Sequence, residues 1–199
     1  MLQTVRIEGT QPIIMHSAAG MDPSIPANIE KAEISRKRGS NRTAADEERL
    51  RQLDCLTSFW LDSEGRPTIP PAAFRSCIET AARKLRQGPQ VREGLVVLGS
   101  RFEYDAGRYG EAIEDLVKNC QFTVPVVINR SRVMSTRAMF DVPWSCEFNV
   151  DTDPELVDAS QLERWLDIAG RRIGIGDWRP DKSGQYGRFE ASIASAEAE

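Results

Sequence analysis

Residues 144–150, Trp-Ser-Cys-Glu-Phe-Asn-Val, indicate a β-strand with one buried face. Apolar side chains occupy positions 144, 146, 148 and 150, and polar side chains lie between them. Successive side chains of a strand point to opposite faces of a sheet, so this alternation places one face against a core. Residues 3–8 alternate in the same way and predict a second strand of this kind.

The segments around these two strands predict a mixture of helices and further strands. Residues 71–87 follow Pro70 and carry one apolar face, which is typical of a helix, and Asp153 opens a second helix that ends at Gly170. Helix and strand do not alternate regularly, so the sequence predicts an α+β fold with a mainly antiparallel sheet. Strands are also predicted at 56–61, 122–133 and 189–193, a helix at 111–118, and a strand or short helix at 94–104.

The length of 199 residues predicts a single domain that spans residues 1–199. Residues 17–55 are rich in charged and small side chains and poor in apolar ones, so they are interpreted as an insertion that protrudes or is mobile and that buries little by itself. Residues 190–199 are interpreted as a short acidic tail.

The composition is that of an ordinary globular protein, with 40% hydrophobic and 28% charged residues. No apolar run approaches the roughly 18 residues that span a bilayer, and the first residues lack the layout of a signal peptide, so a cytoplasmic location without membrane contact is predicted. The four cysteines form no CxxC pair and there is one histidine, which is poor material for zinc. Buried, reduced thiols are predicted, and neither a metal nor a cofactor is.

Residues 171–189 form a basic, glycine-rich block inside a chain whose net charge is −4. Five cations and two anions leave the block at +3, and four glycines alternate there with aromatic residues. Glycine allows close backbone approach, arginine supplies forked donors to phosphate, and aromatic rings stack on bases. The block therefore favours a sugar–phosphate chain as ligand. The predicted nucleic-acid-binding residues within it are Gly174, Gly176, Trp178, Arg179, Lys182, Gly184, Tyr186, Gly187 and Arg188.

Cations elsewhere form three smaller groups that are also predicted to bind nucleic acid. A cluster lies in the insertion, another lies on the helix at 71–87, and a third lies in the β-rich segment, where two arginines share one strand face. For each group, a solvated charged surface is the alternative interpretation. The residues are Arg36, Lys37, Arg38 and Arg42, then Arg75 and Arg83, then Arg130, Arg132 and Arg137.

The block and two other segments resemble the CRISPR-associated RAMP superfamily, especially its backbone-subunit branch. GIGDWRPDKSGQYGRF (174–189) resembles its glycine-rich C-terminal signature, TQPIIMHS (10–17) the end of its first strand, and IPPAAFRSCIETAARKL (69–85) its helix opening. The matched positions are Gly174, Gly176, Arg179, Gly184, Gly187 and Arg188 in the loop and Arg75 in the helix, and residues 17–45 stand in place of the first insertion.

The resemblance implies a modified RRM-like (ferredoxin-like) fold whose copies polymerise along a strand and grip its backbone without sequence specificity. It also implies a possible ribonuclease, since Asp22 lies where some backbone subunits keep a catalytic aspartate, and His16 is the one candidate general base. A turn aspartate and a structural histidine are the alternative interpretations.

Three functions remain open from the sequence. The first is a non-catalytic protein that binds single-stranded RNA, as a CRISPR effector backbone subunit does along guide RNA, or single-stranded DNA, as a phage protein would. The second is an endoribonuclease of the RAMP type. The third is an assembly protein whose basic block meets an acidic neighbouring subunit, because an acidic chain with a basic surface suits a homo-oligomer or filament.

Overall fold

The computed structural model describes residues 1–37, 41–128 and 131–194. The strands are β1 (Leu2–Gly9), β2 (Ile13–Ile14), β3 (Leu95–Tyr104), β4 (Gln121–Ile128), β5 (Ser131–Phe140), β6 (Trp144–Thr152) and β7 (Phe189–Ala194). The helices are α1 (Pro26–Arg36), α2 (Ala44–Ser58), α3 (Pro71–Lys84), α4 (Gly88–Gly94), α5 (Ala106–Tyr109), α6 (Ile113–Asn119) and α7 (Ala159–Ile168). The α+β class with antiparallel sheets is confirmed.

The main sheet has four antiparallel strands in the order β3-β6-β1-β7. Val5 pairs with Phe148 and Ile7 with Cys146, and all four side chains are buried on one face. The alternation in residues 3–8 and 144–150 therefore predicted these strands correctly.

Helices α3 and α7 supply the other side of this core. The ring of Phe74 on α3 stacks on Phe148 of the sheet at a centroid distance of 4.0 Å. Trp165 on α7 is fully buried, and its indole N–H donates to Gln87 Oε1 at 2.8 Å. Burying a large apolar side chain contributes about 1.5–3 kcal/mol, so these contacts are central to the stability of this unit.

Contacts between Cα atoms divide the chain into two compact units. The first contains residues 1–14, 67–104 and 140–199, and the second contains residues 15–66 and 105–139. Two compact units are compatible with one domain or with two, so the single domain stays a prediction. Within the described residues, every helix is too short or too polar to cross a bilayer.

The segment predicted as a mobile insertion forms α1 and α2 of the second unit. These helices pack around Ala27, Ile34 and Leu53, which are all buried. Thr43 and Asp46 form a reciprocal capping box that begins α2. The few apolar residues of the segment are spaced to share one interface, so the segment has a small core of its own. Its protrusion stays a prediction.

Three local predictions differ from the structure. Residues 56–58 continue α2 rather than beginning a strand, and the hydroxyl of Thr57 donates to Leu53 O at 2.9 Å. Helix α7 begins after Asp158, whose side chain caps it, while Asp153 makes a turn instead. Gly170 does not end the helical run, which continues as a π-turn to Ile173. A Cβ at Gly170 would lie 2.0 Å from Phe189 O, so close packing on β7 requires this glycine.

Candidate nucleic-acid interface

Residues 174–188, here called the C-terminal loop, connect the π-turn to β7 in the first unit. The two arms of the loop are bonded to each other. Ile175 N donates to Gly187 O at 2.9 Å, Tyr186 N donates to Trp178 O at 3.1 Å, and Gly184 N donates to Arg179 O at 3.0 Å. Hydrogen bonds between residues of the loop therefore fix the course of its backbone.

The base of the loop is anchored to the segment that links β1 and β2. Gly187 N donates to Pro12 O at 2.7 Å, and Asp177 N donates to Ile14 O at 2.8 Å. Arg188 O accepts from Thr10 N at 2.9 Å. These bonds bring together the two sequence segments, 10–17 and 174–189, that carry the resemblance at the chain's two ends.

The glycines of the loop are required by contacts within the chain. A Cβ at Gly184 would lie 1.7 Å from Trp178 O, and one at Gly187 would lie 1.7 Å from Ile175 O. A Cβ at Gly176 would lie 2.4 Å from Ile14 O, and one at Gly174 would lie 2.7 Å from Pro180 Cδ. The space that each glycine leaves is thus filled by the protein. These glycines shape the loop, and their contact with nucleic acid stays a prediction.

Trp178 and Tyr186 are half-buried on the loop, with ring centroids 6.3 Å apart and planes inclined by 35°. They form part of the wall of an open depression of about 530 Å³. The remaining lining residues are Lys182, Ser183, Gly184 and Gln185. Ser183 and Gln185 were not among the predicted site residues, and their position between the loop glycines is the only sequence signal that points to them.

The cations of the basic block differ in what they contact. Arg179 Nη1 donates to Gly176 O at 2.9 Å, and Arg188 Nη1 donates to Arg171 O. These two predicted phosphate ligands therefore also hold the backbone. Arg171 pairs with Asp167 at 2.9 Å. Within the described chain, Arg172 and Lys182 are exposed and make no ion pair or side-chain hydrogen bond. They are the cations of this block that are most available to a ligand, and Arg172 was not predicted as a site residue.

On α3, Arg75 Nη2 donates to Arg92 O at 3.1 Å and Arg83 Nη2 donates to Thr80 Oγ1 at 3.0 Å. Both acceptors are uncharged, so neither contact neutralises the guanidinium charge of its arginine. Lys84 and Arg86 are exposed beside them. Arg83 and Lys84 lie in the last turn of α3, where cations interact favourably with the helix dipole, so the position of these two is explained without a ligand.

The insertion cations are largely paired with carboxylates of the same segment. Lys37 Nζ lies 2.6 Å from Asp46 Oδ1, and Arg42 Nε lies 2.5 Å from Glu47 Oε1. The hydrogen bond from Lys37, followed by that from the Thr43 backbone, lowers the pKa of Asp46 to about 2. A phosphate would compete with these carboxylates. Arg36 is exposed, and Arg38 lies outside the described residues.

Two of the third group of predicted cations, Arg132 and Arg137, lie on β5 in the second unit. Arg130 is outside the described residues, and of Arg132 only the backbone, paired with Val127, is described. Arg137 pairs with Phe122 and is half-buried. Neither Arg132 nor Arg137 belongs to the four-stranded sheet.

The face of the four-stranded sheet opposite its core is acidic. Its cross-strand rows include Ser192–Arg6–Glu147–Arg101 and Glu190–Glu8–Ser145–Glu103, and Asp151 lies in a further row with Leu2 and Val96. Five carboxylates thus face two arginines, and Arg6 is itself within 3.4 Å of Glu8 and Glu103. None of the outward side chains in these rows is aromatic. Repulsion of phosphates disfavours this face as a nucleic-acid surface.

The two catalytic candidates are both exposed in the second unit. Asp22 Oδ1 accepts from Ser24 Oγ at 2.7 Å and from Ser24 N at 2.9 Å, and these hydrogen bonds lower the pKa of Asp22. A carboxylate held in this way is a weak base, and the contacts are those of a turn. No group of three or more potential ligands for a metal ion occurs within the described part of the chain.

All four cysteines are buried, as predicted. Burial raises the pKa of Cys55, Cys77 and Cys146 to about 12, so these thiols are poor nucleophiles at neutral pH.

No protein-family model matches the chain, and comparison with curated proteins finds no match.

Proposed function

We propose that this protein binds single-stranded nucleic acid, without sequence specificity, through the C-terminal loop. The observation that carries the proposal is the depression at residues 178–186, where two aromatic rings lie beside Lys182 on a hydrogen-bonded loop. Lys182 makes no ion pair with any of the described residues. Aromatic faces stack on unpaired bases, and cations attract the phosphates between them. In a duplex the faces of the bases are already stacked, so this chemistry favours a single strand.

The topology of the first unit supports an RRM-like fold for this function. Its main elements follow the order β1, α3, β3, β6, α7, β7, and the sheet order is β3-β6-β1-β7. A strand–helix–strand repeated twice in one antiparallel sheet is the ferredoxin-like arrangement. RRM domains stack bases on aromatic residues of the sheet face. Here that face is acidic and lacks aromatics in the paired rows, which is why we place the ligand on the loop.

The resemblance to RAMP backbone subunits accords with this proposal. By that analogy, several copies would lie side by side on one strand, as in a CRISPR effector on its guide RNA or in a phage coat on single-stranded DNA. The polymer distinguishes these two roles, and binding experiments can identify it.

The test is fluorescence anisotropy with single-stranded RNA, single-stranded DNA and duplex DNA at two salt concentrations. We expect tight binding to one of the single strands that weakens with salt. The double variant Arg172→Ala/Lys182→Ala should reduce the slope of log K against log salt by about 1.4, since each lost phosphate contact with a single strand removes about 0.7.

The control is Lys118→Ala/Arg164→Ala, which removes two exposed cations outside the basic block at 171–189 and the same total charge. It should leave the slope almost unchanged. Absence of binding to all three polymers at low salt would exclude the proposal, and the basic block would then be a protein–protein surface.

A further inference from the structure

We propose that the depression on the C-terminal loop holds one unpaired nucleobase, stacked against Trp178 and Tyr186, with its phosphate at Lys182. This inference rests on the proposed function and adds where a single base and its phosphate lie on the loop.

The loop fixes the backbone positions of the two residues that carry the rings. The hydrogen bond from Tyr186 N to Trp178 O, 3.1 Å long, joins the two residues directly across the loop. Gly184 packs against Trp178 O so closely that no side chain fits there. A stacking platform benefits from such preorganisation, because ordering a mobile loop on binding would offset part of the binding energy.

The backbone at the depression is held in an unfavourable conformation. Trp178 has φ +48° and Ser183 has φ +61°, and both are non-glycine residues that line the depression. A bulky residue at positive φ is a steric outlier, and such strain persists only where the surroundings enforce it. Strained residues cluster at ligand sites, where strain serves to aim a side chain. Here it directs the indole toward the depression rather than into the core.

The dimensions suit one base. The two rings are inclined by 35° with centroids 6.3 Å apart, so a base in the depression would stack on one ring and lie beside the other. The volume of about 530 Å³ lies in the range of small-ligand sites, and its open side leaves room for the connected sugar and phosphate.

The chemistry of the rim completes the site. Lys182 is exposed and, in the described chain, has no carboxylate partner, so its ammonium can meet a phosphate without breaking an ion pair. Ser183 and Gln185 add hydroxyl and amide groups beside it. The depression thus combines an aromatic wall with a polar and cationic rim.

The experiment compares a short oligo(U) or oligo(dT), whichever the protein prefers, with a strand of equal length that carries abasic residues. Charge and backbone are the same in both, so a protein that grips only the backbone binds them equally. We expect the abasic strand to bind the wild-type protein about 10- to 100-fold more weakly. In Trp178→Leu the two strands should bind with similar affinity, and Trp178→Phe should retain most of the difference.

The outcomes separate the two proposals. Equal binding of both strands by the wild-type protein, with normal salt dependence, would overturn the stacking site and leave the proposed function standing. Binding of neither strand would overturn both. If Trp178→Leu fails to fold, the comparison of the two strands on the wild-type protein still decides the question.

Discussion

The C-terminal loop and the segment of α1 and α2 are both basic in sequence, but they use their cations differently. In the helical segment, Lys37 and Arg42 meet carboxylates of the same segment at 2.6 and 2.5 Å. In the loop, Lys182 makes no ion pair with any of the described residues, while Arg179 is bonded to a carbonyl. The comparison teaches that a cluster of cations indicates a binding surface only where the fold leaves the charges unpaired.

The largest expected effect concerns the backbone of the loop. Gly187→Ala places a Cβ 1.7 Å from Ile175 O at φ +64°, and we expect a loss of at least about 3 kcal/mol in the free energy of unfolding. Gly99→Ala is a matched control, because Gly99 has φ +59° but open space around it. It should cost about 1–2 kcal/mol from the backbone conformation alone. Urea denaturation measures both, and equal losses would show that crowding in the loop is unimportant.

The second prediction compares the two basic regions directly. Arg172→Ala/Lys182→Ala should weaken single-strand binding about tenfold at low salt, whereas Lys37→Ala/Arg42→Ala should change it less than about threefold. The reason is that the first pair is free to meet phosphate and the second pair is neutralised by carboxylates. Anisotropy titrations decide this, and the opposite ranking would place the interface on the helical segment.

A smaller effect is expected from Arg179, which belongs to the basic block but uses its guanidinium to hold the backbone. Its hydrogen bond to Gly176 O ties the start of the loop, so Arg179→Ala should lower the free energy of unfolding by about 1 kcal/mol. Lys182→Ala, which removes a charge from the same loop without breaking a bond in the described chain, should leave the unfolding curve unchanged. A stability loss in Lys182→Ala equal to that in Arg179→Ala would contradict this division of roles.

The smallest effect is a pH dependence in the helical segment. The pKa of Asp46 is lowered to about 2 in the folded protein from its usual 3.8, so its contribution is present above about pH 4 and is lost as the pH falls toward 2. In Asp46→Asn this part of the acid-induced decline should disappear, and 0.5 M salt (on the order of a 4 Å Debye length) should reduce it in the wild type. Thermal melts from pH 5 to pH 2 provide the measurement. An unchanged decline in Asp46→Asn would show that the ion pair contributes nothing.

Some of these features were accessible from the sequence because their cause is local. The alternation in residues 144–150 predicted β6 since a strand with one buried face requires that pattern. Residues 56–58 were predicted as a strand from their side chains, but α2 continues through them because Leu53 and Cys55 are buried on the helix. Packing outweighed local propensity there.

The sequence predicted which types of residue form the candidate site, but it did not predict how those residues are arranged in space. Residues 171–189 were recognised as a basic, aromatic and glycine-rich block, and the structure brings Trp178, Lys182 and Tyr186 to one depression. The distinction between Arg179, which holds the backbone, and Lys182, which does not, depends on where Gly176 O lies in space. The distance between the Arg179 guanidinium and Gly176 O cannot be inferred from a pattern in the sequence.

The sequence by itself therefore determined the α+β class, the alternating strands and the existence of a basic block, because each follows from periodicity or composition within a short segment. Only the tertiary structure decided which glycines the chain needs for its own packing, which cations are neutralised and which face of the sheet is acidic. Those properties depend on distances between residues far apart in sequence, such as Gly187 and Pro12 or Glu8 and Glu103. Such distances are set by the register of the strands and the packing of the core.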